Sequence, residues 1–93
     1  MPTIRIPSPL RFYTDGQAEV QVQGTTVEAA LQDFVGRYPA IKPHLFRPEG
    51  EMRSFVNLFL NDENIRNLQG LKTELQSEDR LLIVPSVAGG RLH

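Results

Sequence analysis

Cysteine is absent from this 93-residue sequence. Without a thiol the chain can form no disulfide, hold no cysteine-type zinc site or iron–sulfur cluster, and use no thiol nucleophile. An excess of one charge is also missing, because ten Lys and Arg residues oppose eleven Asp and Glu, for a net charge of −1. A protein that binds the phosphate backbone needs a basic surplus. We therefore expect no nucleic-acid partner.

Long hydrophobic runs are missing as well. The first residues, MPTIRIPSPLRF, lack the apolar stretch of a signal peptide, and no later segment approaches transmembrane length. We therefore expect a cytoplasmic protein with no membrane partner. A chain of this length is enough for one domain with a modest core.

Residues that form active sites are scarce. The histidines are His44, in a proline-flanked loop, and His93, and neither has the spacing of a metal ligand. No serine lies in a nucleophile elbow. No helix follows Gly89-Gly90 to offer its N-terminus to a phosphate. We predict that the chain is not an enzyme and binds no metal.

Hydrophobic periodicity predicts the elements of the N-terminal half. Residues 3–12 begin with period-two alternation and residues 18–23 alternate again, which indicates a hairpin whose first strand ends, bulges or runs at a sheet edge at Pro7 and Pro9. Residues 27–38 carry apolar side chains at helical spacing. Thr25 and Glu28 fit a capping box at the start of this helix, and Pro39 ends it.

The C-terminal half predicts three more strands. Residues 40–51 form a surface connection that Ile41, Leu45 and Phe46 pin to the core. Residues 55–61 form a strand, Ile65-Arg66 a short return strand, and residues 80–85 the last strand. The single helix must cover one face of a mixed sheet. This order predicts an α+β, β-grasp (ubiquitin-like) fold with four to five strands over residues 1–85, and a free tail over residues 86–93.

Apolar side chains also lie on the sheet face away from the helix. Phe55 and Phe59 alternate with the core residues of their strand, and Leu82 and Val84 alternate with those of the last strand. Such a face is typical of either edge packing or a docking patch. We predict that Phe59 and Val84 are exposed there and contact a partner enzyme.

The tail sequence VPSVAGG, residues 84–90, resembles the C-terminus of the bacterial ubiquitin-like sulfur carriers. That family includes the small subunit of molybdopterin synthase and the carriers of thiamine and cysteine biosynthesis. Together with FVNLFLNDENIR, residues 55–66, the tail is most similar to the cysteine-biosynthesis type. The strand order and the helix position agree with this resemblance, which spans nearly the whole chain.

The resemblance implies a function for the tail. In the family, an ATP-dependent activating enzyme adenylates the carboxylate of the second glycine, here Gly90, and sulfur then replaces the adenylate to give a thiocarboxylate. Val87, Ala88 and Gly89 would be recognised in a narrow site, which glycine suits because it has no Cβ. The implied partners are that activating enzyme, a sulfurtransferase or other sulfur source, and a pyridoxal-phosphate-dependent cysteine synthase. The carrier itself would bind no cofactor.

Arg91-Leu92-His93 depart from the family pattern, in which the chain ready for activation ends at the second glycine. We predict a precursor that a separate metallopeptidase cuts between Gly90 and Arg91. The alternatives are an expression remnant and a paralogue that acts only as a binding module. The sulfur could also be donated to the synthesis of molybdopterin or another cofactor. In a rival function, a ubiquitin-like modifier would be joined to lysines through Gly90.

Overall fold

Five strands form one mixed sheet in residues 1–85, the part of the chain that this computed structural model describes. They are β1 (Thr3–Arg5), β2 (Glu19–Gln21), β3 (Val56–Leu60), β4 (Glu63–Asn64) and β5 (Arg80–Pro85). The order across the sheet is β2-β1-β5-β3-β4. β1 and β5 are parallel, whereas the other neighbours are antiparallel. The predicted β-grasp fold is confirmed.

The helix α1 (Val27–Arg37) supplies one side of the core, as its apolar stripe predicts. Its N-cap is Thr26, whose hydroxyl oxygen accepts a hydrogen bond from the Ala29 N–H at 3.1 Å. The predicted Thr25–Glu28 capping box is therefore wrong by one residue. The backbone of Thr25 is engaged elsewhere, because its carbonyl accepts a hydrogen bond from the Leu75 N–H.

The first strand ends just before Pro7, which is one of the predicted outcomes. β1 ends at Arg5, and a 3₁₀ helix, which the sequence did not predict, occupies Ser8–Thr14. The cause is Pro7 and Pro9, which supply no N–H to a ladder. Leu10 still enters the core from the 3₁₀ helix. No helix of residues 1–85 is long and apolar enough to cross a bilayer.

The return strand after β3 also differs from the prediction. β4 is Glu63–Asn64, and Ile65-Arg66 belong to a 3₁₀ turn, Ile65–Asn67. Asn61 and Asp62 both have positive φ, 49° and 84°, so the chain reverses in two residues. Pairing therefore resumes at once between Leu60 and Glu63.

The connection between α1 and β3 is more regular than predicted. It contains a 3₁₀ turn (Pro39–Ile41) and a short helix, α2 (Lys42–Leu45). The three predicted anchors, Ile41, Leu45 and Phe46, are all buried. The connection is thus fixed to the core while its polar side chains face outward.

Gly24 allows the chain to approach α1 closely. Its φ is +151°, and a Cβ there would lie 2.6 Å from the Ala30 nitrogen. We expect Gly24→Ala to lower the free energy of unfolding by about 2–4 kcal/mol, because the atoms it meets are helix backbone and cannot move aside. Urea unfolding measures this. The control is Gly36→Ala in α1, where a Cβ meets nothing within 4 Å and about 0.5–1 kcal/mol should be gained. Equal stability of the two variants would contradict the packing described here.

Candidate functional site

A transverse row of paired residues crosses the sheet face opposite α1. Its members, in order across the strands, are Glu19, Arg5, Leu82, Phe59 and Asn64. Directly paired residues point to the same side of a sheet. The row begins with an ion pair between Arg5 Nε and Glu19 Oε2 at 3.3 Å and becomes apolar at its centre. The face is thus charged at one edge and hydrophobic in the middle.

The centre of this face is an open concavity of about 660 Å³. Phe59, Leu82 and Val84 supply its apolar lining. Its polar rim consists of Arg5, Asn61, Asp62 and Arg80. An apolar centre inside a polar rim is the composition of many protein–protein interfaces. We call this surface the docking face.

Hydrogen bonds hold one end of the docking face in place. Asn61 Oδ1 accepts from the Arg80 N–H at 3.1 Å, and Asn61 Nδ2 donates to Asp79 Oδ1 at 2.8 Å. The Asn61 N–H in turn donates to the Arg80 carbonyl. These bonds tie the β3–β4 turn to the start of β5, so the rim is fixed relative to the apolar centre.

The structure brings the predicted pair Phe59 and Val84 to one face but does not leave them fully exposed. Both are half-buried, because Phe59 lies between Leu82 on β5 and Asn64 on β4, and Val84 lies beside Asn57. Leu82 is the more exposed, at 37%. The alternation of the last strand had placed Leu82 outward, but the predicted docking pair omitted it.

The last described residue lies beside the docking face. Pro85, the last described residue, pairs with Val56 at the start of β3, and Val84 is its neighbour. The predicted adenylation and cleavage positions, Gly90 and Arg91, lie outside the described residues. The same is true of the predicted tail-recognition positions, which are Val87, Ala88 and Gly89. A protein bound to the docking face therefore sits next to the root of the tail.

The buried polar side chains elsewhere in residues 1–85 are satisfied by local hydrogen bonds. Within this range no three acidic or histidine side chains are close enough to hold a metal ion. The buried Thr14 and Thr73 hydroxyls donate to the backbone carbonyls of Gln17 and Gly70. His44 is exposed and stacks on Tyr13, with ring centroids 4.2 Å apart.

Phe59→Ala is expected to weaken binding of an activating enzyme by about thirtyfold, the equivalent of losing about 2 kcal/mol from an interface anchor. Because the ring is half-buried, the domain should also lose on the order of 1 kcal/mol of stability. Calorimetric titration of folded protein separates the two effects. The control is Phe12→Ala, since Phe12 is 86% exposed on another surface. If folded Phe59→Ala protein binds the activating enzyme as tightly as the unchanged protein does, Phe59 contributes to the core alone.

Comparison with known proteins agrees with this architecture. The model of the ThiS family matches residues 4–90. The sulfur carrier protein CysO of Mycobacterium tuberculosis is 39% identical over 90 residues, covering 95% of this chain and 97% of that protein.

Solved structures agree in the same way. The Amycolatopsis orientalis BexX/CysO complex contains a chain that matches with a TM-score of 0.86 and 38% identity, covering 97% of this chain and 100% of that one. The small archaeal modifier protein 1 of Methanosarcina acetivorans matches with a TM-score of 0.84 and 30% identity, covering 96% and 95%. The chain therefore belongs to the ThiS family, as the resemblance of its tail and strand order to the ubiquitin-like sulfur carriers predicted.

Proposed function

We propose that this chain is a sulfur carrier whose working group is the carboxylate of Gly90. The observation that carries the proposal is the end of the family match at residue 90, the second glycine of the tail. Relatives 39% identical over almost the whole chain are named sulfur carriers. The carrier supplies recognition and a carboxylate, while separate enzymes supply the catalysis.

The proposed chemistry proceeds in two steps on the activating enzyme. A carboxylate oxygen of Gly90 attacks the α-phosphorus of ATP, and pyrophosphate leaves. Sulfide, from a sulfurtransferase or another source, then attacks the carbonyl carbon of the acyl adenylate, and AMP leaves with its oxygen. The product is a thiocarboxylate, which is an anionic and soft nucleophile. Its sulfur attacks the β-carbon of an activated amino acid held by a pyridoxal-phosphate-dependent cysteine synthase, and the leaving group of that amino acid departs. Hydrolysis of the bond between the carrier and the new cysteine then frees cysteine and restores the Gly90 carboxylate.

The docking face fits this role because of its place beside the tail. A partner that binds Phe59, Leu82 and Val84 lies next to Pro85, from which the tail begins. Only a short length of chain then separates the bound face from Gly90. The solved complex of the Amycolatopsis orientalis relative pairs CysO with a second protein, BexX. That pairing supports binding of this chain to separate partner proteins.

The residues after Gly90 give the proposal a processing step. While Arg91 is attached, the Gly90 carbonyl belongs to an amide and offers no carboxylate to ATP. A metallopeptidase that hydrolyses the Gly90–Arg91 bond releases Arg91-Leu92-His93 and creates the reacting group. The carrier binds no cofactor in this scheme, and ATP is consumed by the activating enzyme.

A second candidate function is protein modification, because a relative 30% identical is named a small archaeal modifier protein. The two functions share the adenylated Gly90 but differ in its fate. A carrier returns as a free chain, whereas a modifier remains joined to substrate lysines through Gly90.

The test adds protein ending at Gly90, prepared as a thiocarboxylate, to an extract of the native cell with an amino-acid acceptor. The carrier function predicts that the chain returns by intact mass with oxygen in place of sulfur, together with new cysteine. A thiocarboxylate consumed without new cysteine would point to a different cargo pathway. Accumulation of lysine-linked conjugates in its place would overturn the carrier function in favour of the modifier.

A further inference from the structure

A second concave surface lies in the connection between α1 and β3. It has a volume of about 400 Å³ and shares no lining residue with the docking face. Its lining includes three prolines and three basic residues, which are Pro39, Pro43, Pro48, Lys42, Arg47 and Arg53. We call it the basic groove.

The basic groove is cationic. Lys42, Arg47 and Arg53 line it, and none of its lining residues is acidic. The two ion pairs found within residues 1–85 involve other arginines. Glu49 and Glu51 are exposed on the same loop but do not line the groove or pair with its cations. No ion pair within residues 1–85 therefore neutralises the three positive charges.

Backbone hydrogen bonds hold the basic groove in shape. Arg53 Nε donates to the Pro43 carbonyl at 2.7 Å, and the Arg53 N–H donates to the Leu45 carbonyl at 2.9 Å. The Arg47 N–H donates to the Glu51 carbonyl at 2.7 Å, which closes the loop. A surface that is already ordered loses less conformational entropy when it binds.

The basic groove approaches the root of the tail. The Arg53 carbonyl accepts a hydrogen bond from the Val56 N–H, and Val56 pairs with Pro85. Arg53 therefore connects the basic groove to the strand position that faces Pro85, the last described residue. A protein that binds at Pro85 is then close to the groove.

We propose that the basic groove binds an acidic surface segment of the protein that acts on the C-terminal tail. The identity of that partner rests on the proposed carrier function. A peptide segment fits better than a small anion, because Lys42 and Arg47 are exposed and would leave a small anion largely hydrated. Several carboxylates along one segment engage all three cations, and the proline rings provide apolar contacts for its backbone. Such charge pairs raise association rates and fix orientation.

The first test titrates the protein, truncated after Gly90, with a hexaglutamate peptide and follows backbone amides by NMR. We expect shifts concentrated between residues 42 and 53. Raising the salt concentration from about 0.02 M to about 0.2 M should weaken binding about tenfold, because it shortens the Debye length. Lys42→Glu should weaken it at least about fivefold. The control is Lys72→Glu, the same change at an exposed site outside the groove, which should leave binding unchanged.

The second test measures ATP–pyrophosphate exchange by the activating enzyme from the same cell, with carrier variants that all end at Gly90. Lys42→Glu should raise the KM for the carrier at least about fivefold with kcat unchanged, and Lys72→Glu should change neither. The proposal is overturned if both variants support equal exchange, or if the shifts caused by hexaglutamate spread over Arg5 and Arg80. It is also overturned if equimolar inorganic phosphate displaces hexaglutamate. A chain that ends at Gly90, is otherwise unchanged and supports no exchange would instead count against the carrier function, and the titration would still decide whether the groove binds acidic segments.

Discussion

Protein that ends at Gly90 is expected to gain sulfur when it is incubated with the activating enzyme, ATP and sulfide. The full-length chain is expected to gain none under the same conditions. The reason is covalent: in the full-length chain Gly90 is joined to Arg91 through an amide, and an amide carbonyl offers no anionic oxygen to the α-phosphorus of ATP. Intact mass spectrometry measures the exchange of one oxygen for one sulfur.

The control for this comparison is the full-length chain treated first with a peptidase that cleaves after Gly90. It should regain full reactivity, which rules out a misfolded preparation. The precursor proposal fails if the full-length chain is thiocarboxylated equally well while it still carries Arg91-Leu92-His93.

Gly90→Ala, in a chain that ends at residue 90, should reduce ATP–pyrophosphate exchange by about a hundredfold. The added methyl group stands beside the reacting carboxylate, and a displacement of about 1 Å at a reacting centre can cost that much. Folding should be unaffected, because residue 90 comes five positions after Pro85, the last residue of β5.

The matched control is Gly36→Ala in the same truncated chain. It adds the same methyl group on the exposed side of α1, where a Cβ meets no atom within 4 Å. Exchange with this variant should equal that of the unmodified chain. If the Gly90→Ala chain supports unimpaired exchange, the adenylation site does not enclose residue 90 tightly.

The elements with strong periodicity were predictable from the sequence. β5 has the predicted bounds, and its alternation correctly placed Leu81 and Ile83 in the core. The apolar stripe of α1 and its end before Pro39 were equally clear. In both elements the hydrophobic pattern, the local propensity and the terminating residue indicate the same structure.

The errors occur where backbone conformation overrides pattern. The sequence pattern of Asn61-Asp62 does not require positive φ at both residues. Because both have it, β4 begins two residues earlier than predicted, at Glu63–Asn64 instead of Ile65-Arg66. The N-cap moved from Thr25 to Thr26 for a tertiary reason, since Thr25 accepts a hydrogen bond from a distant segment. Contacts between segments far apart in sequence decide such details.

The candidate site was predictable in part. Period-two alternation was enough to place Phe59 and Val84 on one face, but not to rank Leu82 as the more exposed residue, since exposure depends on which strands flank each position. The basic groove was not predicted. Its cations are spaced irregularly in a loop that also contains Glu49 and Glu51, and only the folded connection separates the two signs of charge.

The central claim is that the carboxylate of Gly90 carries sulfur, and the intact mass of the protein from its native cell tests it most directly. The cells are harvested while they must assimilate sulfur to grow. Fragmentation of the protein in the mass spectrometer then locates any added sulfur along the chain. The account predicts a chain that ends at Gly90, of which a fraction carries sulfur in place of one terminal oxygen. A population that retains Arg91-Leu92-His93 throughout and carries no sulfur at residue 90 would contradict it.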